Sequence, residues 1–359
     1  MARTRFVLAR FYRRPHLNFL IVAAALMIRV SPAAAAENPA AQDAWRAQVA
    51  TVEIPCSDGA AQPALWYAPA NAGPKPLLVS AHTWSSSYDT AGAISAYAAW
   101  CINRGWAWVH PDFRGPNRTP AAMGSDRAVQ DIVEAVAWAK RQTAVDESRI
   151  YLIGASGGGH MSLQMAGRHP EIWAGVSAWV GISDIAQWYE ELEKSGKPYH
   201  YLDHIKGALG GEPLQDPQRK AEAWKRSPLS SLHRARAVPL DINHGRDDAG
   251  VPFTHALRAF NAVVPEADQL DKDGMNAFLT TRELPAGWAT AGADASYGAK
   301  KPLFRKVAGN TRVTVFDGGH EMVYQAAFNW LAKQRKSQPA LWDVTDFIKL
   351  DTEGAESEK

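Results

Sequence analysis

The sequence is poor in cysteine, with two in 359 residues. That is too few for a disulfide scaffold or a cysteine-built zinc site. Cys56 and Cys101 could form one bridge in an oxidising compartment, and spacing alone leaves that pairing open. The histidines and cysteines present no set that reads as metal ligands, so no metal and no cofactor is expected. There is no internal repeat and no low-complexity block, which excludes a repeat array. The glycine-rich stretch Gly154 to Gly159 lacks the Lys-Ser/Thr ending of a phosphate loop. The run Leu17 to Ile28 is too short to cross a bilayer comfortably.

That run reads instead as part of an export signal. Arg3, Arg5, Arg10, Arg13 and Arg14 precede it, and Ala34-Ala35-Ala36 before Glu37 fits a small-residue cleavage site. Residues 1–36 are therefore expected to be a signal peptide. The mature protein is expected to be periplasmic or extracellular, with no stable membrane span. Arg29, directly behind the apolar run, is the feature that suits an uncleaved anchor instead. The formal net charge of +2 belongs to this segment. Six arginines and no acids leave with it, so 33 Lys and Arg face 37 Asp and Glu, about −4. A mildly acidic mature chain argues against a nucleic-acid partner.

Residues 37–50 read as a linker, 51–350 as one catalytic domain and 351–359 as a flexible tail. Trp342, Phe347 and Ile348 give the stretch after Ser337 apolar groups with which to dock. Within the domain, apolar strand-like runs alternate with helical periodicity. Strands are expected at 51–55, 64–67, 77–82, 106–111, 174–181, 238–243 and 312–316, with another leading into Gly154. Helices are expected at 92–103, 126–141, 157–167, 255–263 and 321–333. The alternation implies an α/β fold, a mostly parallel sheet with helices on both faces. Two long segments, 184–237 and 265–306, break the pattern and are expected as lid-like insertions.

Ligands of such sheets bind beyond the carboxyl ends of the strands. Ser156, His82, Asp112, His244 and His320 all fall there. Ser156 lies in Gly154-Ala155-Ser156-Gly157-Gly158, with a strand before it and a helix after it. This is the pattern of a nucleophile elbow, a strained turn that lifts a serine hydroxyl out of the sheet. A serine needs a base, and the base needs an orienting carboxylate. Two strand-end clusters further along supply candidates. One is His244-Gly245-Arg246-Asp247-Asp248-Ala249-Gly250-Val251-Pro252. The other is Phe316-Asp317-Gly318-Gly319-His320-Glu321. His320, between a glycine pair and a helix, is placed to serve as general base, and the first cluster offers Asp247 or Asp248 as the acid. His244 reads as structural.

These pieces resemble the catalytic domain of the prolyl-oligopeptidase-type serine peptidases, within the α/β-hydrolase superfamily. The matching residues are Asp112-Phe113-Arg114-Gly115, the stretch Asp146 to Gly158, His-Gly-x-x-Asp-x-x-Val-Pro at 244–252, and Gly319-His320. The resemblance implies an α/β-hydrolase fold and a Ser156–Asp248–His320 triad. It also implies an oxyanion hole made by the Gly157 N–H and a backbone N–H of the loop after His82. The family usually carries glycines in that loop, whereas this chain reads His82-Thr83-Trp84; the donor is expected at Thr83 or Trp84, with Trp84 favoured. Too few residues precede the first core strand for the β-propeller of the large oligopeptidases, so a propeller-less member is expected. The substrate is expected to be a small molecule, a peptide or a glycan ester, with Trp84, Trp179, Trp188, Tyr189 and Trp288 as candidate walls of its site. A carbohydrate esterase and a non-catalytic periplasmic glycan binder are the alternatives.

Overall fold

The computed structural model describes residues 45–196, 200–344 and 348. The signal segment, most of the expected linker, Phe347 and the tail 351–359 lie outside the described residues. Nine strands form one sheet: β1 (Ala50–Pro55), β2 (Ala61–Tyr67), β3 (Lys75–Ala81), β4 (Ala107–Pro111), β5 (Val145–Ala155), β6 (Gly175–Trp179), β7 (Leu240–Gly245), β8 (Pro302–Ala308) and β9 (Thr311–Phe316). Their spatial order is β1-β2-β4-β3-β5-β6-β7-β9-β8. The five pairings from β4 across to β9 are parallel, and the outer pairings with β1, β2 and β8 are antiparallel. This is a mostly parallel sheet of the α/β-hydrolase kind.

Strands β3, β4, β6, β7 and β9 are buried at every position, as strands covered on both faces must be. On one face lie α2 (Asp126–Gln142), α3 (Gly157–Arg168) and α7 (Thr254–Val263), contributing Val129, Ile132, Met161, Leu257 and Phe260 to the larger core. On the other face, α1 (Ala93–Arg104) and α9 (Tyr324–Lys333) bring Tyr97, Trp100, Phe328 and Trp330 against Trp108 and Trp179. Helix α1 ends on Gly105 with φ 64°, a left-handed cap that suits glycine. Helix α2 starts with the Ser125 hydroxyl accepting the Ala128 N–H. No helix among the described residues is long and apolar enough to cross a membrane.

The two long segments are more ordered than loops. The first holds α4 (Ile185–Ser195), α5 (Tyr201–Leu209) and α6 (Pro217–Lys225), which make a separate apolar cluster with Trp84, Met123 and Val251. A buried contact ties α4 to α7: His255 Nε2 lies 3.0 Å from Glu191 Oε2, while its Nδ1 accepts the Ser183 N–H at 3.1 Å. The second segment holds α8 (Lys272–Thr281) and the edge strand β8. The strand expected to lead into Gly154 runs the whole way from Val145 to Ala155. After Ser337 the chain packs back onto the domain. Trp342 stacks on Trp330 at 5.6 Å, and Ile348 exchanges two backbone hydrogen bonds with the Asn329 amide.

Candidate active site

Ser156 stands between the end of β5 and the start of α3 with φ 57° and ψ −118°. That is a strained conformation for a residue with a side chain. It is held by the Ser156 N–H donating to the Trp179 carbonyl and by the His160 N–H donating to the Ser156 carbonyl, both at 2.9 Å. The turn is tight enough that a Cβ on Gly154 would lie 2.4 Å from the Gly158 carbonyl oxygen. Glycine at 154 is therefore a packing requirement, and so is glycine at 158, where a Cβ would lie 2.3 Å from the Ala81 carbonyl oxygen.

The second and third groups come from the ends of adjacent parallel strands, β7 and β9. Asp248 is 4% exposed, and its Oδ2 lies 2.6 Å from His320 Nδ1. Its Oδ1 accepts the N–H groups of Gly250 at 2.8 Å and Val251 at 2.9 Å. Burial pushes the Asp248 carboxyl upward, but hydrogen bonds from His244 and His320 outweigh it and hold the group below the usual carboxylate range. Asp247, the neighbouring candidate, faces solvent and pairs with Arg246. His320 remains open to solvent, its side chain 38% exposed. Among the described residues the Ser156 hydroxyl makes no hydrogen bond, so the structure joins the acid to the imidazole and leaves the serine unlinked.

The loop after β3 runs beside the elbow. His82 anchors it, its Nε2 lying 2.8 Å from the Asp112 carbonyl oxygen and its ring stacked on Phe113 at 3.9 Å. Burial lowers the His82 pKa, opposing the effect of its backbone hydrogen bonds. Asp112 Oδ1 also receives the Tyr88 N–H at 3.2 Å. Arg114 clamps this second loop to α2 through two contacts with Asp131, at 2.7 and 2.8 Å. The Trp84 backbone N–H has no acceptor among the described residues, while its carbonyl accepts the Asn117 N–H at 2.9 Å. A Cβ on Gly157 would lie 2.4 Å from that same Trp84 nitrogen. Glycine at 157 thus makes room for a loop that carries side chains at Thr83 and Trp84. It leaves two backbone donors, at 84 and 157, next to a helix N-terminus whose partial positive charge favours an anion.

The aromatic candidates pack mostly within the fold. The Trp84, Trp179, Trp188 and Tyr189 side chains are all buried and offer no stacking face at the surface. Trp179 lies within the sheet's second core, and its Nε1 donates to Ser177. Trp84 and Trp188 pack edge to face at 4.8 Å, joining the loop to the α4–α6 layer. Trp288 packs on Phe304 away from this layer. The apolar area of such rings is more stabilising inside than at a rim. The cysteines are likewise unpaired: both are buried and free.

Two further clusters escaped the sequence reading. His200 and His204 stand four residues apart, at the N-cap and in the first turn of α5. Their rings lie 4.9 Å apart. Cys56, Asp131 and Glu134 bring ligand-type atoms within 4.8 Å of one another. There, however, Arg114 already occupies both oxygens of Asp131, and burial pushes the Cys56 thiol up to about 12. A protonated thiol beside a filled carboxylate is a poor metal site.

Sheet order, strained elbow and paired acid and imidazole define a chain of the α/β-hydrolase class. The family can be stated as well. The model of the prolyl oligopeptidase family matches residues 93–279, and the chain belongs to that family. It is 28% identical over 189 residues to dipeptidyl aminopeptidase BIII of Pseudoxanthomonas mexicana, covering 50% of this chain and 26% of the relative. It is 24% identical over 206 residues to the acylamino-acid-releasing enzyme of Mus musculus, covering 52% and 26%. The chain thus spans about a quarter of the length of these relatives. Among solved structures, an acylaminoacyl peptidase in complex with Z-Gly-Gly-Phe-chloromethyl ketone superposes with a TM-score of 0.57 at 16% identity, covering 82% of this chain and 43% of that one. A puromycin hydrolase superposes with a TM-score of 0.55 at 17% identity, covering 80% and 39%. These two likenesses concern the fold.

Proposed function

We propose that this chain is an exported serine hydrolase that cleaves an ester or peptide bond through an acyl-enzyme. Ser156 attacks the carbonyl carbon while His320 takes its proton. Asp248 holds the imidazole in the required tautomer and stabilises the imidazolium. The N–H groups of Gly157 and Trp84 receive the oxyanion, and His320 then returns the proton to the leaving group. Water repeats the sequence and releases the acyl group. The observation that carries this reading is the 2.6 Å contact between His320 Nδ1 and the buried Asp248 carboxylate, on the same edge of the parallel sheet as the strained Ser156.

Family membership supports a peptidase-type reaction, and acylation chemistry alone serves esters and amides equally. Labelling by a fluorophosphonate probe tests the nucleophile: the wild-type protein should label and Ser156→Ala should not. Equal labelling of the two would remove Ser156 from the mechanism. Comparing peptidyl amides with acetylated and methyl-esterified glycans then separates peptidase from carbohydrate esterase. Failure to turn over any of them, together with glycan binding, would favour the non-catalytic alternative. The export reading rests on residues 1–36. Amino-terminal sequencing of protein recovered from a bacterial periplasm should begin at Glu37, and an uncleaved product would count for the anchor.

A further inference from the structure

We propose that His244 is a second imidazole donor to the triad carboxylate, a positioning residue that fixes how Asp248 presents itself to His320. The proposal rests on the Ser156–Asp248–His320 reading above. His244 is fully buried at the end of β7, four residues before the acid. Its Nε2 lies 3.1 Å from Asp248 Oδ2 and 2.9 Å from the Val251 carbonyl oxygen. Both neighbours are acceptors, so Nε2 carries the proton. Its Nδ1 is buried with no partner. A second N–H there would be an unsatisfied buried donor on a charged ring, so the neutral Nε2–H form is the one that fits.

The carboxylate therefore receives four N–H donors: two backbone groups on Oδ1, and His244 and His320 on Oδ2. Rotating it would break all four bonds together. The neutral ring of His244 does not cancel the charge on Asp248; it disperses part of it. A carboxylate so bound is a weak base. The proton that leaves the Ser156 hydroxyl for His320 Nε2 thus stays on His320 until the leaving group takes it, and Asp248 remains ionised throughout. His244 and His320 are the titratable groups in hydrogen-bond contact with this carboxylate. The surrounding charges are engaged elsewhere, Arg246 with Asp247 and Asp317, and Lys300 with Glu321.

Two substitutions separate this role from simple packing. His244→Phe fills the space without a donor, whereas His244→Gln keeps a side-chain N–H at a similar reach. With a p-nitrophenyl ester, His244→Phe should lower kcat by about 10- to 100-fold with KM little changed. The acid limb of its kcat/KM profile should move up by about half a pH unit, because a less dispersed carboxylate grips the imidazolium more strongly. His244→Gln should recover most of the rate and the wild-type limb. A role in packing alone would lower the melting temperature and leave the limb in place, and that result would overturn the proposal. Nitrogen-15 spectra of the imidazoles give a readout without turnover. The wild-type His244 ring should be protonated at Nε2, and a proton on Nδ1 instead would also overturn the proposal, whether or not His244→Phe folds. Wild-type protein with no serine-dependent turnover would instead refute the hydrolase reading, and the spectra would still decide the His244 contact.

Discussion

Gly157 and Trp84 stand so close that a methyl group on the first would lie 2.4 Å from the backbone nitrogen of the second. The loop after β3 and the elbow helix therefore meet backbone to backbone. Gly157→Ala must push the loop away, because the obstructing atoms belong to main chain. The expected outcome is a folded protein with kcat lower by about 10² to 10³, the usual loss when one oxyanion donor is displaced. Steady-state kinetics beside a melting curve check it. Unchanged turnover would mean that Trp84 does not supply the second donor.

Trp188 ties three parts of the site together. It packs on Trp84, and its Nε1 donates to the Gly250 carbonyl at 2.9 Å, in the loop that holds Asp248. Trp188→Ala should cost about 3–5 kcal/mol in urea unfolding, the usual range for a buried tryptophan. It should also lower kcat, since the layer over the oxyanion loop loses its anchor.

Arg312 and Asp241 form an ion pair at 2.7 Å that is almost completely buried, with Trp330 and Trp342 stacked beside the guanidinium. Arg312→Leu leaves a buried carboxylate without its partner and should cost about 3–5 kcal/mol. The double variant Arg312→Leu with Asp241→Leu should be the more stable of the two. Denaturant titration of both decides it, and equal losses would show that the pair's charge is irrelevant there.

Acid should weaken the fold before the carboxylates titrate. Burial lowers the His160 pKa to about 4 and the His110 pKa to about 3. Both are depressed below the ordinary histidine value, so the unfolded chain binds more protons between those values and about 6.5. The stability they contribute is complete above about pH 6.5 and is lost progressively as pH falls through the folded-state values. Urea midpoints should fall from pH 7 to pH 4.5. His160→Gln, which preserves an amide donor toward the Arg226 carbonyl, should lose less over that interval.

The central strands and their helices were legible because full burial writes a continuous apolar run and amphipathic helices write a stripe. What escaped was edge and lid structure. The hairpin of β8 and β9 turns on Gly309-Asn310, a two-residue signal that a search for buried runs passes over. In the two long segments, helices α4, α6 and α8 each carry a capping signal, Asp184, Asp216 before Pro217, and Asp271. At the site, the strand-end clusters offered His320 with Asp247 or Asp248, the family resemblance implied Asp248, and the structure brings Asp248 and His320 into contact. Spacing could not show that the tryptophans near them turn inward, because a side chain's burial depends on layers that are distant in sequence. Nor could spacing show that His244 shares the acid's oxygen.

The loops that bear acid and imidazole are themselves knitted together: the Arg246 N–H donates to the Phe316 carbonyl and the Asp247 N–H to the Gly318 carbonyl, both at 2.9 Å. Two members of the proposed relay thus travel as one piece. Any motion that carries the imidazole toward the Ser156 hydroxyl therefore takes the carboxylate with it.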